Sequence, residues 1–145
     1  LREALAMIEE EGLDNIIARH HYLAEGARAA ALNGWGMKLC AKEQKWYSDT
    51  VTAVMLPEGA NGADIILRAF KRYNVSLGAG LSKVAGKLFR IGHLGDMNEV
   101  HLCAGISGAE MAMLDNGINV TPGSGVAAAQ DFWRNNEPPP GLLVR

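Results

Sequence analysis

The sequence predicts an α+β domain in which helices pack on one face of a small, mostly antiparallel sheet. Two observations carry this. Apolar residues recur at three- and four-residue spacing in some segments and form short β-branched runs in others. The resulting order is helix, strand, helix, strand, strand, helix, helix, with some strands joined by helices and others by a loop. A length of 145 residues suits one domain, since domains commonly hold roughly 100–150 residues.

Residues 1–10 read as the end of a helix stopped by Gly12, which accepts the left-handed turn that closes helices. Leu13, Ile16, Ile17, His20, Leu23, Ala27 and Ala30 then form one stripe of a longer helix, closed by Asn33-Gly34. Met37–Cys40 reads as a short strand. Thr50–Leu56 reads as a buried strand ended by Pro57. Asn61 has the side chain of a helix N-cap, ahead of Ile65, Ile66, Leu67, Phe70 and Tyr73. Asn74 stops that helix, and Val75–Leu77 is expected to begin a strand. A glycine-rich loop, Gly78 to Gly86, leads to the strand Lys87–Ile91. Asn98 caps a helix through about Asp115, with Val100, Cys103, Ile106 and Met113 as core candidates, and Gly117 ends it. Ser124 is expected to cap a last helix to Trp133, and Pro138-Pro139-Pro140 to end regular structure. No internal repeat or low-complexity tract interrupts this order.

The bulk properties narrow the function. The chain is 48% hydrophobic, enough for a packed core. No run approaches the roughly 20 apolar residues that span a membrane, so no membrane partner is expected. A formal charge of −2 and no basic cluster argue against nucleic acid. The aromatics Trp35, Trp46, Tyr47 and Trp133 are not interleaved with basic residues, as a base-stacking platform requires. Cys40 and Cys103 lie far apart outside any C-x-x-C pattern, and both are expected to be structural and buried, as in a reducing compartment. The opening Leu1-Arg2-Glu3-Ala4 is no signal peptide. It starts inside a helix, from which a preceding segment of a longer protein is expected. The ending Leu142-Leu143-Val144-Arg145 is no peroxisomal signal, and the expected location is cytoplasmic.

Candidate sites are few. Gly78–Lys87 superficially suggests a phosphate loop, but Gly80 and Gly86 are separated by one residue too many. Leu88 also stands where a hydroxyl should meet magnesium, and a strand follows instead of a helix N-terminus. A flexible connection that glycine lets approach a ligand closely is the better reading. His20 and His21 point apart on a helix, and His93 and His101 lack ligand spacing, so no metal site is expected. Asp96-Met97-Asn98-Glu99 fits the acidic first turn of a helix. Arg90 stands out. Alternation puts Phe89 and Ile91 on one face of their strand and Leu88 and Arg90 on the other. A guanidinium in a core strand needs an anion, and its planar fork matches a carboxylate. A structural salt bridge or an exposed strand end is the commoner reason for an arginine in such a place.

The stretch Gly86-Lys87-Leu88-Phe89-Arg90-Ile91-Gly92-His93-Leu94-Gly95, with Arg72–Ala85 before it, resembles the C-terminal domain of class V aminotransferases of the alanine–glyoxylate and serine–glyoxylate type. Glu11–Asn15, Trp46–Met55 and Gly123–Ala129 look like the serine–glyoxylate branch, and the resemblance runs from Leu1 to about Trp133. It implies the small domain of a fold-type I, pyridoxal-phosphate-dependent homodimer, with residues 1–145 forming the C-terminal small domain and the large cofactor-binding domain absent. L-Serine and glyoxylate would give hydroxypyruvate and glycine, so amino acids and 2-oxo acids are the implied partners. The arginine matching Arg90 would bind the substrate α-carboxylate. No catalytic or cofactor-binding residue is implied here: Lys38, Lys42, Lys45, Lys71, Lys83 and Lys87 do not sit in the family's lysine motif. The isolated chain is therefore expected to bind no cofactor and to be inactive. Two rival readings are another enzyme of this fold type, such as an alanine–glyoxylate aminotransferase, and a non-catalytic small-molecule-binding regulatory module.

Overall fold

A computed structural model describes residues 1–142; Leu143, Val144 and Arg145, part of the C-terminal ending considered above, lie outside the described residues. Helix α1 (Arg2–Glu11) stops at Gly12, whose φ of 84° takes the left-handed turn. Helix α2 (Leu13–Ala29) runs into one π-helical turn, Ala30–Gly34. Strand β1 (Lys38–Leu39) and strand β2 (Val51–Met55) precede helix α3 (Gly62–Tyr73). Strand β3 (Gly78–Ala79), strand β4 (Leu88–Gly92), helix α4 (Glu99–Asp115) and helix α5 (Ser124–Asn135) complete the order.

The helix boundaries follow local chemistry. The Asn61 side chain accepts the Ala63 N–H, and Asn74 closes α3 with φ 55°, a left-handed value asparagine tolerates. Asn98 and His101 form a reciprocal cap at the start of α4. Oδ1 of Asn98 accepts the His101 N–H, and Nδ1 of His101 accepts the Asn98 N–H. His101 is thus a helix-start residue, in the position where Glu or Gln completes a capping box.

All pairings in the sheet are antiparallel, in the order β1-β2-β4-β3. In the central pair, Thr52 lies opposite Ile91 and Val54 opposite Phe89. These four side chains are buried and face the helices, joining Leu23, Ala30, Leu102, Ile106 and Met113 in the core. The reverse face carries Ala53 opposite Arg90, as the alternation predicts. Helices α2 and α5 are tied by a reciprocal pair: the Tyr22 hydroxyl donates to the Trp133 carbonyl, and the Trp133 indole donates to the Tyr22 carbonyl.

Several expectations are corrected. The strand after α3 is Gly78–Ala79, inside the segment read as loop, and Val75–Leu77 lies outside any strand. Gly78 carries no side chain to show alternation, so only its pairing with Arg90 reveals it. Ser124 is the first residue of α5 and not its cap; the cap position belongs to Gly123, and the Ser124 hydroxyl is buried without a partner. The proline run is followed by a short 3-10 turn, Pro140–Leu142. Cys40 is exposed and Cys103 half-buried. Val100, offered as core, is exposed, because it projects from the outer side of the first turn of α4.

One surface is apolar. No residue of α1 is buried, and Leu5, Met7 and Ile8 are exposed there, with Leu13 and Ile17 exposed on α2.

Candidate functional site: an arginine on the open face of the sheet

Arg90 occupies the middle of β4, between Ala53 of β2 and Gly78 of β3. It is half-buried. Both neighbours are small, so the guanidinium lies across open backbone instead of between side chains. A Cβ built on Gly78 would stand 3.1 Å from Arg90 Nε. That Nε is buried and lacks a hydrogen-bond partner, and Arg90 forms no ion pair among the described residues. A buried cationic N–H without an acceptor is costly to maintain. A planar donor of this kind, left open, suits a carboxylate supplied from outside.

The other buried arginines are committed. Arg19 holds the Glu11 carboxylate and donates to the Gly95 carbonyl at 2.8 Å. Arg28 binds Glu25 and Asp49, donates to the Ser48 carbonyl at 3.1 Å and sits 5.5 Å from the Tyr47 ring centroid. These partners account for the burial of both, whereas the Nε of Arg90 has no acceptor among the described residues. Neither was legible as a site residue. A signal exists for Arg28, which interrupts the small-residue run Gly26–Ala31.

His93 follows β4 and is fully buried. Its Nδ1 lies 3.0 Å from the Asp49 carbonyl and its Nε2 2.9 Å from the Thr52 hydroxyl. A carbonyl only accepts, so Nδ1 carries the proton and Nε2 accepts from Thr52. Burial pulls its pKa down to about 4, opposed by the hydrogen bond to Asp49. His20 uses the same tautomer, donating to the Ile16 carbonyl and accepting the Gly95 N–H. His21 meets Asp49, whose pKa is lowered against the effect of its partial burial by hydrogen bonds from Arg28 and His21. His20, His93 and His101 thus make hydrogen bonds within the fold, and among the described residues no cluster of three or more His, Cys, Asp or Glu could hold a metal ion.

A cleft of about 280 Å³ reaches Ala53, the cross-strand partner of Arg90, and is lined chiefly by Leu39, Cys40, Trp46, Tyr47 and Val51 with Arg28 among them. The glycine-rich segment folds as β3 and a 3-10 turn, Ser82–Val84, and supplies no helix N-terminus for phosphate. The six lysines are all exposed. A lysine that carries a carbonyl cofactor is ordinarily activated by desolvation or a neighbouring cation, and none here has the buried setting. Among the described residues no helix is long and apolar enough to cross a membrane.

No protein-family model matches the chain. Individual relatives do. The chain is 59% identical over 136 residues to the serine–glyoxylate aminotransferase of Methylorubrum extorquens, covering 94% of this chain and 34% of that protein. It is 47% identical over 134 residues to the L-aspartate–glyoxylate aminotransferase of Paracoccus denitrificans, covering 92% of this chain and 34% of the relative. Among solved structures, pyridoxamine–pyruvate aminotransferase from Mesorhizobium loti superposes with a TM-score of 0.85 at 29% identity, over 92% of this chain and 34% of that one. These relatives are aminotransferases, and the chain is similar to them along nearly all of its own length. Within them its sequence is similar to serine–glyoxylate aminotransferases, of which it spans about a third of the length.

Proposed function

We propose that this chain is the C-terminal small domain of a serine–glyoxylate transaminase, and that Arg90 binds the α-carboxylate shared by its amino-acid and 2-oxo-acid substrates. The observation that carries the reading is the Arg90 guanidinium, aligned on the open sheet face with a buried, unanswered Nε. Ala53 and Gly78 leave room for a carboxylate to approach it. Pyridoxal phosphate and the lysine that holds it belong, on this reading, to a large domain outside this chain, in a homodimeric cytoplasmic enzyme. The exposed apolar surface of α1 supports such a neighbour, since patches of this kind mark contact surfaces.

The role of Arg90 is positional. A two-pronged grip on the carboxylate fixes the substrate's orientation, so that its amino or keto carbon presents one direction to the reacting group. In the full-length parent enzyme, Arg90→Ala should lower kcat/KM for both L-serine and glyoxylate by about a hundredfold, the scale of an ångström-sized misplacement. Cofactor binding, followed by its visible absorbance, should persist. Unchanged efficiency with both substrates would remove Arg90 from the site. The isolated chain should show no transaminase activity; turnover by it would refute the division between domains. The 47% identity to an aspartate–glyoxylate enzyme supports one alternative, a different amino donor. Comparing L-serine, L-aspartate and L-alanine with glyoxylate as acceptor decides it.

A further inference from the structure

We infer that His93, through its bridge to Asp49 and Thr52, is the residue that positions Arg90 for carboxylate binding; this rests on the reading of Arg90 given above.

Arg90 takes its direction chiefly from its backbone, because its cross-strand partners are small and no hydrogen bond or ion pair from the described residues holds its Nε. Its cross-strand partners are Ala53 and Gly78, one a methyl group and the other bare Cα. The direction of the guanidinium therefore follows the twist and register of the β2–β4 pair. That pair ends where Val51 meets Gly92, two residues beyond Arg90. An unsupported strand end frays, and any change of twist there rotates the arginine.

His93 sits on the far side of this end and closes it. Its backbone N–H continues the ladder to the Thr50 carbonyl at 3.0 Å. Its ring donates from Nδ1 to the Asp49 carbonyl and accepts at Nε2 from the Thr52 hydroxyl. One side chain thereby grips β2 both near its first residue, at Thr52, and at the segment leading into it. Both partners of the ring are held in turn. Thr52 is buried opposite Ile91. The Asp49 segment is clamped to α2 by Arg28, which binds the Asp49 carboxylate and the Ser48 carbonyl. The loop after β4 is fixed to the same helix, where His20 accepts the Gly95 N–H and Arg19 donates to the Gly95 carbonyl. The strand leading to Arg90 and the strand beside it are thus referenced to one rigid element, α2, and His93 is the direct link between them.

A buried hydrogen-bonded imidazole is a demanding choice for a purely space-filling position, where leucine would serve without polar atoms to satisfy. Its value lies in direction: two hydrogen bonds fix the strand end in a way that apolar packing does not. Positioning residues of this type act through a second group and show themselves as misalignment of the first.

The test uses the full-length parent enzyme with cofactor bound, and glycolate as a non-reacting 2-hydroxy acid carrying the same α-carboxylate. Glycolate affinity is measured by calorimetry for wild type, His93→Leu, His93→Asn, Thr52→Val and Arg90→Ala. His93→Leu should weaken glycolate about tenfold, less than the hundredfold scale of a full ångström misplacement. KM for serine and glyoxylate should rise by one common factor with kcat largely kept, because the two substrates share only the carboxylate at this point. His93→Asn, whose amide donates where Nδ1 does, should restore most of the affinity. Thr52→Val removes one hydrogen bond at nearly constant volume and should fall between; it decides the matter if His93→Leu does not fold. Wild-type glycolate affinity in Thr52→Val and in a folded His93→Leu, alongside a weakened Arg90→Ala, would overturn the role of His93 alone. Wild-type affinity in Arg90→Ala would overturn the carboxylate site itself.

Discussion

The carboxylate of Glu110, in the middle of α4, accepts the backbone N–H of Gly125 at 2.8 Å in the first turn of α5. It also accepts the Gly123 N–H and the Trp35 indole N–H. An acid buried to 4% exposure thus does what the Ser124 side chain does not, meeting the free donors and positive dipole end of a helix N-terminus. Glu110→Gln would turn an amide NH₂ toward these donors. It should lower the unfolding free energy by about 2–3 kcal/mol, the range for charged hydrogen bonds lost in the interior. Urea denaturation of both forms measures this, and a difference near zero would show that the carboxylate is not needed there.

Gly26 lies flat against Trp133, and a Cβ on it would fall 2.1 Å from the indole Cε2. The indole is itself tied to the Tyr22 carbonyl and has little freedom to retreat. Gly26→Ala should therefore destabilise by about 1–3 kcal/mol or more through overpacking, despite alanine's better helix propensity. Thermal melting gives the sign directly: a higher Tm would mean that α2 and α5 separate easily.

His93 makes stability depend on pH. Its folded pKa of about 4 lies below the ordinary value of 6.5, so the unfolded chain binds the proton more readily. The contribution of the neutral, buried ring is complete above pH 6.5 and is lost as pH falls toward 4. Between pH 7 and 5 the loss should be about 2 kcal/mol. His93→Asn should remove that part of the slope, and an identical slope in the two proteins would contradict it.

The cysteines should differ in reactivity. Cys40 is exposed, whereas Cys103 is half-buried and burial raises its thiol pKa. A thiol reagent at neutral pH should modify Cys40 first and Cys103 slowly, as thiolate availability and access both favour the former. Mass mapping of a brief reaction would reverse the assignment if Cys103 were labelled first.

What the sequence disclosed was local. Asn61, Asn74 and Asn98 mark helix ends because their side chains or backbone preferences act within a few residues. The period-two pattern of Leu88–Ile91 put Arg90 opposite Phe89 and Ile91 for the same reason. The misplacements share a different origin. Gly78–Ala79 becomes a strand only by pairing with residues 89 and 90. Ser124 yields its capping role to Glu110, fourteen residues earlier in the chain. Arg19 and His93 are buried through partners on other elements, which no local pattern reports. Cys40 follows β1 on a sheet edge, where the general tendency of cysteine toward burial has nothing to act on. Arg90 was recognisable as unusual from its strand, and the absence of an internal partner required the fold.

The two outer strands of the sheet are each two residues long. Such edges offer too few free N–H and C=O groups to recruit a strand from another molecule. Association of the isolated chain would therefore run through side chains, chiefly the apolar flank of α1, and not through backbone ladders. Clusters formed this way should dissolve in mild detergent and leave no fibrillar seed, so any such association should be reversible.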